Sequence, residues 1–122
     1  FPCRLGGRRG LELSRRLRDT NDPAEARAIR GALGAHTDRV AVSSIKGAVG
    51  HLMAASGAIE LAVCALSIQR GAVHPTINYE NPDPLLDLDY VPNVAREKKI
   101  TVAVSNGFGF GGTNASVVMR KL

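Results

Sequence analysis

Tryptophan is absent from this chain of 122 residues, and aromatic residues make up only 4% of it. That leaves almost nothing from which to build the stacked-ring platform of a single-stranded nucleic-acid binder. Cysteine is nearly absent too. Cys3 and Cys64 form neither a metal-ligand spacing nor a disulfide framework, which points to a reducing compartment. No secretory h-region is legible, and the chain opens on Phe1 rather than Met, which reads as a fragment. The Arg-rich, acid-poor start matches a transit peptide in charge, but serine is too sparse there.

Acidic residues are scarce where the basic ones gather. Six arginines stand among residues 1–20 against Glu12 and Asp19, so this arm carries four of the five net positive charges. A nucleic-acid function would rest on that arm alone, and it has no aromatic interleaving and no recognisable motif. We expect no nucleic-acid partner, and a solvated, poorly ordered arm over residues 1–20. What is plentiful is apolar and mostly aliphatic. Hydrophobic residues reach 44%, mainly Ala, Val, Leu and Ile. That suffices for one domain around one modest core and argues against disorder.

From Asn21 the pattern becomes regular. Asp22, Pro23 and Glu25 form a capping-box arrangement, and Gly34 suits a stop, so a helix is predicted over Pro23–Leu33. The β-branched run 38–44 reads as a strand. Residues 51–70, "HLMAASGAIELAVCALSIQR", read as a helix about 30 Å long that is apolar on nearly every face. Gly57, the many alanines and the central Glu60 argue for burial inside protein rather than in a membrane. Residues 71–93 hold four prolines and read as a structured loop with one short strand near Leu88–Val91. Residues 99–106 and 115–122 read as two strands paired across a glycine stretch.

That stretch, "SNGFGFGGTN" at 105–114, contains G-x-G-x-x-G. A dinucleotide loop needs a helix to begin at the third glycine, so that its N-terminus meets the pyrophosphate. Here "TNASVVM" follows and reads as strand, so no cofactor loop is expected.

Three residues carry candidate chemistry. Lys46 lies in a turn, His51 opens the long helix, and Glu60 sits within its apolar run. A carboxylate so placed must be paired or protonated, and Lys46 is the obvious partner. A histidine at a helix N-terminus feels the positive dipole end, which disfavours the cation and leaves a neutral N–H donor. Such a donor suits a thioester oxygen that becomes an enolate. Spacing alone favours the plainer alternative, in which His51 is a cap or core residue and Lys46–Glu60 is a structural pair.

"SSIKGAVGHLMAASGAIE" (43–60) and "SNGFGFGGTN" (105–114) together closely resemble the C-terminal half of the β-ketoacyl-acyl carrier protein synthases, the condensing enzymes of fatty-acid and polyketide synthesis. The resemblance runs from about Asn21 to Leu122, through "PTINYENPDP" and "LDLDYVPNVARE". It implies an α/β chain: the C-terminal half of a thiolase-like, layered α-β-α-β-α fold, with a mixed sheet and a buried central helix. Lys46 resembles the lysine of the family's K-x-x-x-G-H motif, and His51 the second catalytic histidine. Glu60 resembles the acid that supports the lysine or, in some members, a structural cation, to which Asn106 could contribute. Phe108 and Phe110 resemble the phenylalanines beside the acyl pocket, Phe110 the gate between malonyl and acyl sites. Gly109, Gly111 and Gly112 would give their loop its flexibility and positive φ angles.

The resemblance further implies a fatty-acid-type acyltransferase that needs no cofactor and no resident metal. Its partner would be acyl carrier protein bearing acyl and malonyl groups, and the full-length enzyme would be a homodimer, in no membrane. A bacterial-type cytoplasm is expected, or an organelle stroma or matrix in a eukaryote. A discrete polyketide ketosynthase, its chain-length partner, or a non-catalytic fragment pairing with a full-length synthase are the alternatives. The family's nucleophilic cysteine and first histidine have no counterpart here; in register, Ser14 and Arg18 stand where a histidine and a threonine belong. Residues 1–20 therefore read as a frame-altered or misplaced start. The chain alone is expected to be inactive, poorly soluble or driven to oligomerise.

Overall fold

The computed structural model describes residues 8–122, with side chains described from Asn21 onward. Of the expected arm, residues 1–7, Cys3 among them, lie outside the described residues, and for residues 8–20, Ser14 and Arg18 among them, only the backbone is described. Helix α1 spans Arg8–Leu33 and is followed by a 3₁₀ segment, Gly34–Arg39. Two further helices follow, α2 (Lys46–Val49) and α3 (Ser56–Arg70). Four strands follow among the described residues: β1 (Ala72–Val73), β2 (Arg96–Glu97), β3 (Val102–Phe108) and β4 (Asn114–Arg120). The architecture is α/β, as expected.

Several boundaries differ from the sequence-based expectation. Asp22 and Pro23 do not start a helix, because α1 already runs through them and holds Pro23 inside. The run 38–44 forms no strand. Its first two residues finish the 3₁₀ segment, and only Ala41 bridges, parallel, to Asp89. The short strand near Leu88–Val91 likewise reduces to bridges at Asp89 and at Pro92, which pairs with Thr76. A ladder needs a neighbour along its whole length, and these two segments meet at one residue only. The hairpin is as expected: β3 pairs antiparallel with β4 from Val102↔Arg120 to Phe108↔Asn114. A second pairing, β1 with β2, was not legible in the sequence, since each strand has two residues.

Helix α3 begins at Ser56, not at His51. Gly50 at φ 79°, ψ 179° and Met53 at φ 49° break any continuous turn, and a 3₁₀ turn spans Met53–Ala55. The helix ends at Gly71, left-handed at φ 64° and ψ 39°, whose N–H bonds the Ser67 carbonyl. α3 packs against β3, β4 and β1. Only Ile68 of the helix is buried, and Leu66 stays 46% exposed. The all-round burial expected of this helix is therefore not reached here, because the described residues cover one of its faces. The core sits beside its C-terminal half: Ala26, Ile68, Val73, Tyr90 and Val91.

Buried polar groups in this core are satisfied. Thr37 Oγ1 donates to the Gly34 carbonyl at 2.7 Å, and Thr76 exchanges backbone bonds with Val91 and Asn93. Tyr90 stacks on Tyr79 with ring centroids 6.1 Å apart, and burial pushes its hydroxyl up to about 12. Arg30 anchors α1 to the long loop, forking onto Asp87 at 2.8–3.0 Å while also reaching Asp38 at 3.2 Å.

Candidate functional site

The site is assembled on the turns ahead of α3. Ser44 Oγ accepts the Lys46 N–H at 3.3 Å, and the Ser44 N–H donates to Thr76 Oγ1 at 3.2 Å. Gly47 lies so close to Ile77 that a Cβ would meet its Cγ1 at 3.1 Å and its carbonyl oxygen at 3.2 Å. The α2 turn is thereby held against the loop at 76–77.

Lys46 reaches back to Glu60, and the two form a partly buried ion pair, Nζ to Oε1. Their side chains are 31% and 18% exposed. Ile45, Val49, Leu52 and Ile59 lie beside the pair, which remains partly open to water.

His51 stands outside α3 and is exposed. Its Nδ1 accepts the Met53 N–H at 3.0 Å, with Ser56 Oγ at 3.4 Å. The Ser56 hydroxyl oxygen already accepts the Leu52 N–H at 3.0 Å, so its own proton is free to point at Nδ1. The Met53 N–H aimed at Nδ1 marks that nitrogen as an acceptor. A ring that accepts at Nδ1 carries its N–H on Nε2. The backbone turn that presents this ring depends on Gly50, whose φ and ψ fall in a region open essentially to glycine alone. Gly50→Ala is expected to destabilise the chain by about 1–3 kcal/mol. No atom lies near enough to clash with a new Cβ, so the cost is purely backbone. Gly57→Ala, in ordinary helical backbone with open space around it, should instead stabilise by about 0.4–1 kcal/mol. Urea melts of both variants would check the opposite signs.

Glu25 is the site residue that sequence reasoning missed. Its place three residues after Asp22 suggested a cap, but its carboxylate turns inward and accepts Asn106 Nδ2–H at 3.3 Å. Asn106 Oδ1 accepts Ser116 Oγ–H at 2.8 Å, which ties α1 to both strands of the hairpin. Burial pushes the Glu25 carboxyl above its ordinary value of 4.5, against the opposing hydrogen bond from Asn106. Asp22 and Glu60 add to the rise and Lys46 counters it. The folded state therefore holds a proton that the unfolded chain has released, in the window just above pH 4.5. Stability contributed by this group falls as pH rises through that window. Glu25→Gln is expected to flatten that slope in denaturation midpoints measured from pH 4 to 7, a range chosen to bracket ordinary carboxylate titration. An unchanged slope would show that Glu25 is not its source. Asp89 has the opposite sign: Arg96 holds its carboxyl below 3.8, so its contribution is lost only as pH falls further.

The glycine stretch forms the turn of the β3–β4 hairpin. Gly111 and Gly112 have φ of 79° and 82°, as expected. Gly109 does not: its φ is −106°, and it is needed instead because a Cβ would meet the Thr113 carbonyl at 3.1 Å. The segment that follows is strand β4, so the dinucleotide-loop pattern has no helix to serve it. Phe108 and Phe110 stand 46% and 87% exposed, packed into no core. Asn106, two residues before Phe108 on β3, joins that strand to Glu25.

The resemblance allows for a structural cation at Glu60 and Asn106. The Glu60 carboxylate is paired with Lys46, and the Asn106 side chain is satisfied by Glu25 and Ser116. Among the described residues no group of three or more His, Cys, Asp or Glu gathers. No helix of the described residues is long and apolar enough to cross a membrane.

An α/β chain with a lysine–acid pair, a turn-mounted histidine ahead of α3 and a glycine–phenylalanine hairpin turn is the class of protein defined here. Residues 19–80 match the model of the β-ketoacyl synthase C-terminal domain, and the chain belongs to that family. It is 50% identical over 101 residues to 3-oxoacyl-[acyl-carrier-protein] synthase 2 of Coxiella burnetii, covering 83% of this chain and 24% of the relative. It is equally 50% identical over 101 residues to the tetracenomycin polyketide synthase ketoacyl synthase alpha subunit of Streptomyces glaucescens, with the same coverage. Among solved structures it resembles a type II polyketide synthase acyl-carrier protein in complex with its ketosynthase bound to the hexaketide. There the TM-score is 0.78 at 41% identity, over 80% of this chain and 24% of that one. The ishigamide ketosynthase/chain length factor is also similar, with a TM-score of 0.78 at 33% identity, over 84% of this chain and 25% of that one. The chain thus spans about a quarter of the length of the curated relatives it matches. The thiolase-like layered fold expected from the sequence is the fold of these neighbours.

Proposed function

We propose that residues 21–122 supply the histidine–lysine half of a decarboxylative condensation site in a fatty-acid-type β-ketoacyl-acyl carrier protein synthase. The observation that carries this reading is the Met53 N–H bonded to His51 Nδ1. With Nδ1 accepting from the Met53 amide, the N–H on Nε2 of this exposed ring is the donor offered to substrate. In the proposed reaction the bond between the malonyl carboxylate and its α-carbon breaks and carbon dioxide leaves. The electron pair passes into the thioester as an enolate, and Nε2–H donates to its oxygen. The α-carbon then forms a new bond to the acyl carbonyl carbon, and the thiolate that carried the acyl group leaves. Glu60 positions Lys46, whose charge favours the developing negative charge nearby. Phe110, exposed on a glycine turn, serves as the gate between acyl and malonyl groups, with Phe108 and Gly109, Gly111 and Gly112 shaping the loop.

The acyl-accepting thiol is not Cys64. It lies mid-helix and half-buried, and burial together with the Glu60 charge pushes its thiol up, away from the reactive thiolate. The purified chain by itself is therefore expected to yield no condensation product. Its partners are acyl carrier protein and, for the complete enzyme, a second copy, in a bacterial-type cytoplasm. A polyketide ketosynthase role has equal support in the identities, since the curated relatives of both kinds stand at 50%.

The test is a graft. Residues 21–122 replace the matching segment of the Coxiella burnetii synthase, and the product is read by mass spectrometry with malonyl- and acyl-carrier protein supplied. A 3-oxoacyl-carrier protein one two-carbon unit longer is expected, and successive units without reduction would indicate the polyketide reading. A graft that elutes like its parent and accepts the acyl group, yet never condenses it, would sink the proposal.

A further inference from the structure

At the end of α3 remote from His51 lies an open cavity of about 480 Å³ that the condensation site does not use. Fifteen helical residues separate the two ends, which is about 20 Å. Its walls carry four cations, Arg70, Lys98, Lys99 and Lys121, against a single acid, Glu97. Its apolar surface comes from Ile68, which is buried, and Ile100, which is half-buried.

The carbonyl end of α3 accounts for Arg70, which stands in the last helical turn. It does not account for Lys99 and Lys121, which arrive from the β2–β3 connection and from the end of β4. Neither they nor Arg70 makes an ion pair among the described residues. Backbone bonds hold these walls in place: Lys98 N–H to the Gly71 carbonyl at 2.9 Å and Lys121 N–H to the Thr101 carbonyl at 2.9 Å. Lys98 Nζ is itself fixed on the Arg39 carbonyl at 2.7 Å. Like charges gathered at one concavity repel, and an anion lodged between them removes that cost. A guanidinium fork with ammonium groups beside it matches phosphate oxygens. The volume falls within the range of small-ligand sites, about 300–1,000 Å³, in a cleft that opens to solvent.

We propose that this cleft binds a small diphosphate-bearing ligand, with its phosphates held by Arg70, Lys99 and Lys121. The proposal is independent of the condensation chemistry. Calorimetric titration of the full chain with inorganic pyrophosphate and with ADP tests it, at low and at raised salt. Saturable binding that weakens as salt increases is expected. The Lys99→Ala/Lys121→Ala double variant should weaken it by about tenfold or more. Both lysines lie at the surface, and an unchanged far-UV circular dichroism spectrum would show that the fold survives; Arg70→Gln gives a second, independent variant. Tighter binding of ADP would point to an organic diphosphate resting on Ile68 and Ile100, and equal binding to a free polyphosphate. No saturable heat with either probe up to about 10 mM, or undiminished binding by the variants, would overturn the assignment.

Discussion

Replacing His51 by alanine in the grafted synthase is expected to lower condensation by about 10²–10³-fold, while acyl loading onto the recipient's cysteine stays intact. The split follows from where the ring points. His51 contributes one N–H donor, fixed by the Met53 amide on its other nitrogen, and that donor acts only once negative charge develops on the malonyl thioester oxygen. Acyl transfer to the thiol takes place earlier and does not use it. His51→Gln keeps an N–H donor in the same neighbourhood and should recover part of the loss, which a mere packing role would not allow. Rapid-quench measurements of acyl loading and of malonyl decarboxylation would separate the steps. Parallel loss of both would assign His51 to folding or binding instead.

Removing the Glu60 carboxylate is expected to be among the most destabilising single changes at the site. Lys46 and Glu60 pair at a partly buried spot beside Ile45, Val49, Leu52 and Ile59. Glu60→Ala leaves the ammonium group there without its counter-charge. A fully buried pair broken in this way loses about 3–5 kcal/mol. Lys46 retains 31% exposure, so water relieves part of the loss, and about 1–3 kcal/mol is expected in urea melts. The double variant Lys46→Met/Glu60→Leu should be less destabilised than Glu60→Ala, because neither residue then leaves an unpaired charge. Strictly additive losses would show that the two side chains do not act as a pair.

Much of this arrangement was legible in the residue order. The alternation of β3 and β4 and the glycines between them predicted the hairpin, and its register extends from Val102 to Arg120. The apolar run ending at Arg70 and Gly71 predicted α3 and its stop. An acid isolated in that run pointed to Lys46. Other features were hidden because they depend on partners far along the chain. Glu25 read as a cap because its bond to Asn106 spans 81 residues, a contact no local pattern encodes. The run 38–44 read as strand from its β-branched residues, but strand formation depends on a neighbour, and the segment meets only Asp89. The start of α3 was misplaced because the composition of residues 51–55 suits a helix, while the backbone at Gly50 and Met53 does not permit one.

By itself, the sequence determined what short-range chemistry decides: the helix and hairpin periods, the left-handed glycines at 111 and 112, the family, and the residue types at Lys46, His51 and Glu60. Only the tertiary structure decided which atoms of those residues face one another. It put the acceptor nitrogen of His51 on a backbone amide, drew Glu25 into the site, and gathered cations from three separate elements at the far end of α3. The reason is physical. Periodicity and turn chemistry act over a few residues, whereas a tautomer, a buried carboxylate or a charged cleft is set by groups that meet only after the chain has closed on itself.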